Sequence, residues 1–492
     1  MKIQLIVPPG GYTAERWVKS SSMPPLGLLY LGAVLEKEGH QVQIIPADIL
    51  RLSWREVARK IRDFEPDIVG SSCITENRFL SFRLVRLSKK VFPLAITMLG
   101  GPHATMAAED TLRNLPELDV VVRGEGEMTL REICSMGERA KILESLDRVK
   151  GISFRKDGRI QANPDRPPIQ NLDSLPFPAF HLIPFEKYRF SLDVPERGRL
   201  PASNMITSRG CPFSCNFCVT PSFWGRRVRA RSPSSVIAEI EHLVQECGVR
   251  AIFFCDDTFN SIPERAAQIC DLMIERRLNI FWKCDIHVNS VDRPLLEKMK
   301  KAGLFHLSFG LEAGSERVRS EVINKRIDLS AFERLIRWCE ELSIIPNPFF
   351  ILSHPTETRE EAGETIRIIE SYGGRIESSI ALLHVYPGTA LEKTARAKGV
   401  LPPGFSWSRK NHPVHTLPAV QGDVPLFVDK LTWLQIGGLL FRWSSTGARY
   451  SILEKLPRAL AGIRTLRDVK TYTAILVGFG KMRIKKFFHK NI

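Results

Sequence analysis

Three cysteines fall within one short stretch, Ser208-Arg209-Gly210-Cys211-Pro212-Phe213-Ser214-Cys215-Asn216-Phe217-Cys218, with the spacing C-x3-C-x2-C. Thiolates on so short a loop can hold three irons of a cubane and leave the fourth open to a substrate. Zinc is the rival ligand. A structural zinc site wants a fourth donor nearby, and the next histidine, His242, falls inside an expected helix. The other cysteines (73, 134, 247, 255, 270, 284 and 339) stand singly among apolar residues, the setting of buried, inert thiols. Two further groups end apolar runs. Asp256 and Asp257 follow Phe253-Phe254-Cys255, and Glu312 follows Phe309-Gly310-Leu311. Carboxylates there suit ligand binding, and for the aspartates a helix N-cap equally well.

Elements able to position these groups surround them. Strand-like runs at 205–207, 251–254, 281–285, 306–309, 347–352 and 379–384 alternate with helical patterns such as 234–247, 265–276, 294–302, 330–342 and 359–371. Such a series predicts a partial (β/α)6 barrel of TIM type, with the cysteine loop at the C-terminal strand ends where barrel chemistry belongs. The first 145 residues alternate in the same way. Strands are expected at 3–7, 41–45, 67–70, 94–99 and 119–122, with helices at 26–38, 54–64 and 78–91, which predicts a Rossmann-like, doubly wound parallel sheet. Glycine clusters follow its strands: Leu99-Gly100-Gly101-Pro102-His103-Ala104-Thr105 and Arg123-Gly124-Glu125-Gly126-Glu127, with Pro25-Leu26-Gly27 opening the first helix. Glycines at strand ends let backbone amides approach a bound group.

Between these units, residues 146–200 carry prolines at 164, 167, 168, 176, 178 and 184 and read as a wrapping linker, with a hairpin signal around Asp157-Gly158. The α/β portion ends near residue 385. Residues 386–492 form a basic, mainly helical tail without an assignable motif. From Arg442 onward, twelve Lys and Arg face only Glu454 and Asp468, so most of the net charge of +16 lies there. Arg449–Arg467 and Tyr472–Phe488 read as amphipathic, which suits an anionic membrane surface, an acidic partner or a solvated cap. Trp407, Trp433 and Trp443 read as core residues before cavity residues. No nucleic-acid recognition motif is present. No apolar run reaches membrane-spanning length and no secretory signal opens the chain, so a cytoplasmic location is expected, with peripheral contact at the inner membrane surface through the tail.

The cysteine spacing, with aromatic Phe217 before the third cysteine, resembles the radical SAM superfamily. Phe309-Gly310-Leu311-Glu312-Ala313-Gly314-Ser315 and Asn324-Lys325 also match its pattern. The resemblance implies a 4Fe-4S cluster on Cys211, Cys215 and Cys218 and S-adenosylmethionine (SAM) chelated at the open iron. It also implies Phe217, Asp256, Asp257 and Glu312 near the SAM, and a 5′-deoxyadenosyl radical as the product of reductive cleavage. Phe350-Ile351-Leu352-Ser353-His354-Pro355-Thr356-Glu357-Thr358 departs from the family's G-x-P-G-E-T segment, since Ser353 or His354, and Thr356, stand where glycines are usual.

The N-terminal clusters resemble the cobalamin-binding domain of one branch of that superfamily. This implies cobalamin contacts from Pro25, Leu26, Gly27, Gly100, Gly101, Pro102, His103, Thr105, Gly124, Glu125, Gly126 and Glu127. The D-x-H-x-x-G motif that supplies a histidine to cobalt is missing, and His103 reads as a packing residue rather than a substitute. The activity the resemblance implies is cobalamin-dependent methylation of an unactivated carbon in a natural-product, lipid or tetrapyrrole substrate, with an electron donor such as flavodoxin or ferredoxin. Radical oxidative cyclisation or rearrangement is the alternative, and a non-catalytic sensor a second. Transfer-RNA methylthiolation needs three more cysteines early in the chain, where only Cys73 and Cys134 occur.

Overall fold

The computed structural model describes residues 1–10, 23–410, 412–416 and 423–444, and positions 469, 470, 473, 476 and 477. The expected amphipathic segments at 449–467 and 472–488 therefore lie almost wholly outside the described residues.

The N-terminal unit is a seven-stranded sheet. Strands β1 (Lys2–Val7), β2 (Gln41–Pro46), β3 (Ile68–Ser72), β4 (Ile96–Gly100) and β5 (Val120–Val122) run parallel in the order β2-β1-β3-β4-β5. β1 is buried along its centre, and β3 and β4 nearly throughout, because helices cover both faces. The strand order reverses at β1, so a crevice opens between the carboxyl ends of β1 and β3, where doubly wound sheets bind ligands.

Residues 146–200 are not a free linker. β6 (Ile152–Lys156) and β7 (Arg159–Ala162) form the hairpin expected around Asp157-Gly158 and extend the first sheet antiparallel to β5. The proline-rich run then lays Leu172, Leu175, Phe180, Ile183 and Tyr188 into the core, and Ala179 N–H donates to the Leu29 carbonyl at 3.2 Å. The prolines forbid a ladder in this run, but its apolar residues still gain from burial.

The second sheet is a curled half-barrel. β8 (Ser191–Val194) pairs antiparallel with β9 (Gly198–Met205) at one edge. Parallel strands β9, β12 (Ala251–Phe254), β13 (Phe281–Ile286), β14 (Leu304–Glu312), β15 (Ile345–Leu352) and β16 (Ser379–Leu382) complete it. Five of these six parallel strands follow runs read from the sequence; the first, β9, ends at Met205, where the run at 205–207 was expected to begin. A two-stranded clamp, β10 (Ser208–Arg209) and β11 (Arg229–Ala230), stands at the carboxyl end of β9.

The connecting helices start on sequence-encoded caps. Ser232 caps the helix Pro233–Cys247 with Pro233 in its first turn, and Thr358 and Glu361 form a reciprocal capping box on Arg359–Tyr372. The C-terminal helix Trp433–Ser444 packs on Arg359–Tyr372. Trp407 and Trp443 are buried, as the core reading expected. Among the described residues no helix is long and apolar enough to cross a membrane.

Candidate functional site: a cysteine loop facing a glycine-lined cleft

The β10–β11 clamp pinches the base of the cysteine loop. Gly210 adopts φ +100, and a Cβ there would lie 2.5 Å from the Arg227 carbonyl oxygen, so only glycine fits. Cys211 N–H donates to Gly225 O at 3.3 Å and Cys218 N–H to Cys215 O at 3.1 Å. From across the barrel mouth, Asn216 Nδ2 donates to the Val322 carbonyl, and Asn324 Nδ2 to Ser214 Oγ at 2.9 Å.

All three thiols are free and half-buried. Burial pushes the Cys215 thiol up to about 11, against the pull of Lys325, and it feels the neighbouring charges of Cys218 and Cys211. Among the described residues, no three His, Cys, Asp or Glu side chains converge on one ion position. Three thiols grouped on a loop beside a buried cation suit a cubane, whose thiolates each bond a different iron.

Glu312 ends β14 with φ +71, at a register shift against β15. Such a bulge re-aims a side chain at the rim of a barrel. The carboxylate meets Lys325 Nζ at 2.6 Å. A Cβ on Gly310 would lie 1.9 Å from Glu312 Oε1, so the glycine makes room for this pair. Asp257 stands exposed near the loop and accepts from Thr220 Oγ1 at 2.7 Å.

Asp256 behaves differently from the expectation of a SAM contact. It is 1% exposed and accepts from Thr207 N–H at 2.6 Å, Thr207 Oγ1 at 2.5 Å and Ser208 Oγ at 2.7 Å. Its carboxylate is spent on fixing the lead-in to the cysteine loop. Phe217 packs among the apolar cluster of Leu383, Val385 and Leu391. At the altered segment, Ser353 and Thr356 hold φ +72 and +62, the backbone region that glycine usually fills. Glu357 Oε2 stabilises the turn by accepting from Ser353 and His354 N–H at 2.7 and 3.0 Å.

Facing this loop, the carboxyl ends of β1, β3, β4 and β5 enclose a cleft of about 240 Å³. Gly27, Gly70, Gly100, Gly101, Gly124 and Gly126 all line it. A Cβ at Gly27 or Gly124 would meet no atom within 4 Å, so both leave open space for a bound group. Pro102, Glu125 and Glu127 line the cleft as well, whereas Pro25, Leu26 and Thr105 do not. Leu26 is core, and Thr105 Oγ1 instead accepts from Gly124 N–H at 3.0 Å, shaping the β5 loop.

A second cleft of about 290 Å³ adjoins the first and shares Pro102, Phe223 and Trp224 with it. Asp257, Thr220 and Val219 form its cysteine-loop side, and Thr75, Glu76 and His103 its sheet side. Burial, reinforced by Arg78, pushes His103 down to about 3, so the imidazole is neutral. Its Nδ1 lies 3.1 Å from Thr75 Oγ1, in keeping with a packing role.

A buried charge network ties the two halves together. Arg209, two residues before Cys211, meets Glu125 Oε1 at 3.0 Å and Glu127 Oε1 at 2.6 Å, and Arg229 meets Glu125 Oε1 at 2.7 Å. These side chains are 4–7% exposed. Arg209 also lies over the Trp224 ring, 5.0 Å from its centroid. The sequence reading assigned both glutamates to cobalamin and passed over the arginines. Once the fold buries the two carboxylates they need cations, and Arg209 and Arg229, which flank the loop, supply them.

Residues 19–134 match the B12 binding domain family and residues 205–369 the Radical SAM superfamily. An uncharacterized methyltransferase of Pyrococcus horikoshii is 33% identical over 404 residues, covering 82% of this chain and 84% of that protein. The chain belongs to the B12-binding branch of the radical SAM superfamily. Within that branch, the anaerobic magnesium-protoporphyrin IX monomethyl ester cyclase of Rubrivivax gelatinosus is 31% identical over 357 residues, 72% of this chain and 63% of the cyclase. The solved structure of the cobalamin-dependent S-adenosylmethionine radical enzyme OxsB shares the fold, with a TM-score of 0.71 at 17% identity over 97% of this chain and 71% of that one.

Proposed function

We propose that this radical SAM protein is a cobalamin-dependent methyltransferase acting on an unactivated carbon of a small-molecule substrate. The observation that carries the reading is a shared wall. Phe223 and Trp224, which closely follow Cys218, line both clefts at once. A methyl donor and a hydrogen-abstracting radical must reach the same carbon, and adjoining clefts between facing sheet ends meet that demand.

In this reading Cys211, Cys215 and Cys218 hold a 4Fe-4S cluster, with Asp257 and the Glu312–Lys325 pair beside the SAM it binds. Gly27, Gly100, Gly101, Pro102, Gly124, Glu125, Gly126 and Glu127, which line the first cleft, would hold cobalamin there. When bound, the cluster supplies the electron that splits the sulfonium of SAM, and the corrin supplies a carrier for a methyl group. The chain's own residues orient and exclude water. Phe223 and Trp224 wall the chamber, and neutral His103 adds no cation to it. An external donor such as flavodoxin or ferredoxin provides the electron. The basic tail lies against an anionic membrane surface, a reading supported by its charge alone. The methyltransferase of Pyrococcus supports the reaction class by its similarity.

The test uses anaerobically reconstituted protein with reductant and methyl-labelled SAM. Expected are 5′-deoxyadenosine and S-adenosylhomocysteine, the latter only with cobalamin present, and label in the product. A reduced, cluster-loaded protein that forms no 5′-deoxyadenosine overturns the reading. The similarity to the Rubrivivax cyclase favours a second reading, oxidative cyclisation. It predicts 5′-deoxyadenosine with an unlabelled product.

A further inference from the structure

On β13 and β15 the inner face of the half-barrel is not built as a packed core, whereas β14 between them is buried nearly throughout. (β/α) barrels ordinarily fill their interior with layers of branched apolar side chains. Along β13 the outward residues Trp282, Cys284 and Ile286 are buried under helices, whereas the inward Phe281, Lys283 and Asp285 are only half-buried. β15 repeats the pattern, with Asn347 and Phe349 half-buried on the inner face.

The inward polar groups adjoin one another across four adjacent strands, and hydrogen bonds link three of them. Ser308 of β14 stands directly opposite Asp285 of β13 in the sheet register and holds down the pKa of its carboxyl. Asn347 Nδ2 of β15 donates to Ser308 Oγ at 3.4 Å, and Ser379 Oγ of β16 donates to Asn347 Oδ1 at 3.3 Å. Asp285, Ser308 and Asn347 stand at one level of the sheet register.

Lys283 lies two residues before Asp285 on the same face. Its Nζ rests 4.3 Å from the centre of the Phe253 ring. Among the described residues it makes no ion pair, although Asp285, Cys255 and Glu377 are near enough to act on it electrostatically. Burial lowers its pKa and raises that of Asp285 to about 6. An ammonium held half out of water without a carboxylate against it is costly unless an anion answers it. Ligand sites have this composition, with aromatic walls and a few fixed polar groups.

We infer that the barrel lumen is the substrate's anchoring site, with Lys283 taking an anionic group and the Asp285–Ser308–Asn347–Ser379 rail taking its hydrogen-bonding groups. The substrate class is thus a small molecule bearing a carboxylate or phosphoryl group. A wholly hydrocarbon lipid would leave the lysine and the rail unanswered. The inference deepens the methyltransferase reading and rests on it for the meaning of the bound molecule.

The probe is pyridoxal 5′-phosphate, an aromatic anion that forms an imine with an amine near an anion site. Reconstituted holoenzyme is treated with a limiting amount, reduced with borohydride and mapped by peptide mass spectrometry. Lys283 is expected among the foremost tagged lysines, and its tag is expected to be lost when a competing anion is added. Protection by inorganic phosphate identifies a phosphoryl group, and protection by propionate but not phosphate a carboxylate. An untagged Lys283, or a tag that neither anion suppresses, overturns the inference. Failure of the methyltransferase reading is separate, because it shows as absent 5′-deoxyadenosine whatever Lys283 does.

Discussion

Replacing Arg209 with Met tests how the two halves are joined. The substitution keeps an apolar stem of similar reach but removes the guanidinium that meets Glu125 and Glu127. Glu125 keeps Arg229 at 2.7 Å and the Ile169 N–H at 2.6 Å. Glu127 loses the ion pair it makes with Arg209 while its side chain is 7% exposed. Stranding one buried charge in this way costs about 3–5 kcal/mol. The double variant Arg209→Met/Glu127→Gln strands no charge there, so its cost falls below about 2 kcal/mol. The two changes therefore couple by about 2 kcal/mol or more, within the range for groups in contact. Urea denaturation of the cluster-loaded protein, followed by visible cluster absorbance and tryptophan fluorescence, measures both. If Arg209→Met unfolds within about 0.5 kcal/mol of the parent, or the two changes add without coupling, the network contributes no stability and the reasoning fails.

Glu357 sets a pH dependence. Burial raises its carboxyl to about 7, opposed by the His354 and Ser353 N–H groups. The folded state thus binds a proton that the unfolded state has released, so stability is present below the unfolded carboxylate range and declines as pH rises towards 7. Thermal melts of Glu357→Gln should match the parent at pH 4.5 and exceed it at pH 8, and equal melts at both would contradict this. Gly27→Leu adds a Cβ that meets no protein atom within 4 Å, carries the rest of its side chain into the first cleft and replaces a helix glycine. Its melting temperature should hold or rise by the equivalent of up to about 1 kcal/mol, while equilibrium dialysis shows cobalamin binding lost; undiminished binding would place the corrin elsewhere. Asp256→Ala removes all three accepted bonds at the entry to the cysteine loop and leaves the Thr207 N–H without its carboxylate, a cost of about 1–3 kcal/mol or more. Iron content after reconstitution should fall although no cysteine is touched, and full iron loading would show that the loop holds itself.

Periodicity was enough to read both sheets, because buried parallel strands leave short apolar runs between helices, as at Ile68–Ser72 and Ala251–Phe254. The cysteine loop was equally legible, since ligand spacing is local. Residues 146–200 were legible only in part. The turn at Asp157-Gly158 marked the hairpin, but the sheet it extends and the core side chains carried between the prolines leave no periodic trace. Asp256 and Asp257 looked alike in sequence, but both lie in the loop beyond β12, and only the fold shows which one is consumed by Thr207 and Ser208. The pairing of Glu125 and Glu127 with Arg209 joins residues more than eighty positions apart, which no local pattern reports.

The charged joint at Arg209 and Arg229 bears on how such proteins can be recombined. Two separate family models cover the halves, which invites treating them as interchangeable parts. Yet the glutamates that floor one half pair with arginines that frame the loop of the other. A chimaera that takes its N-terminal half from one relative and its barrel from another must carry over both sides of this contact. Otherwise it seals unmatched charges at the seam. The unit that can be exchanged is the pair of halves together with the seam between them.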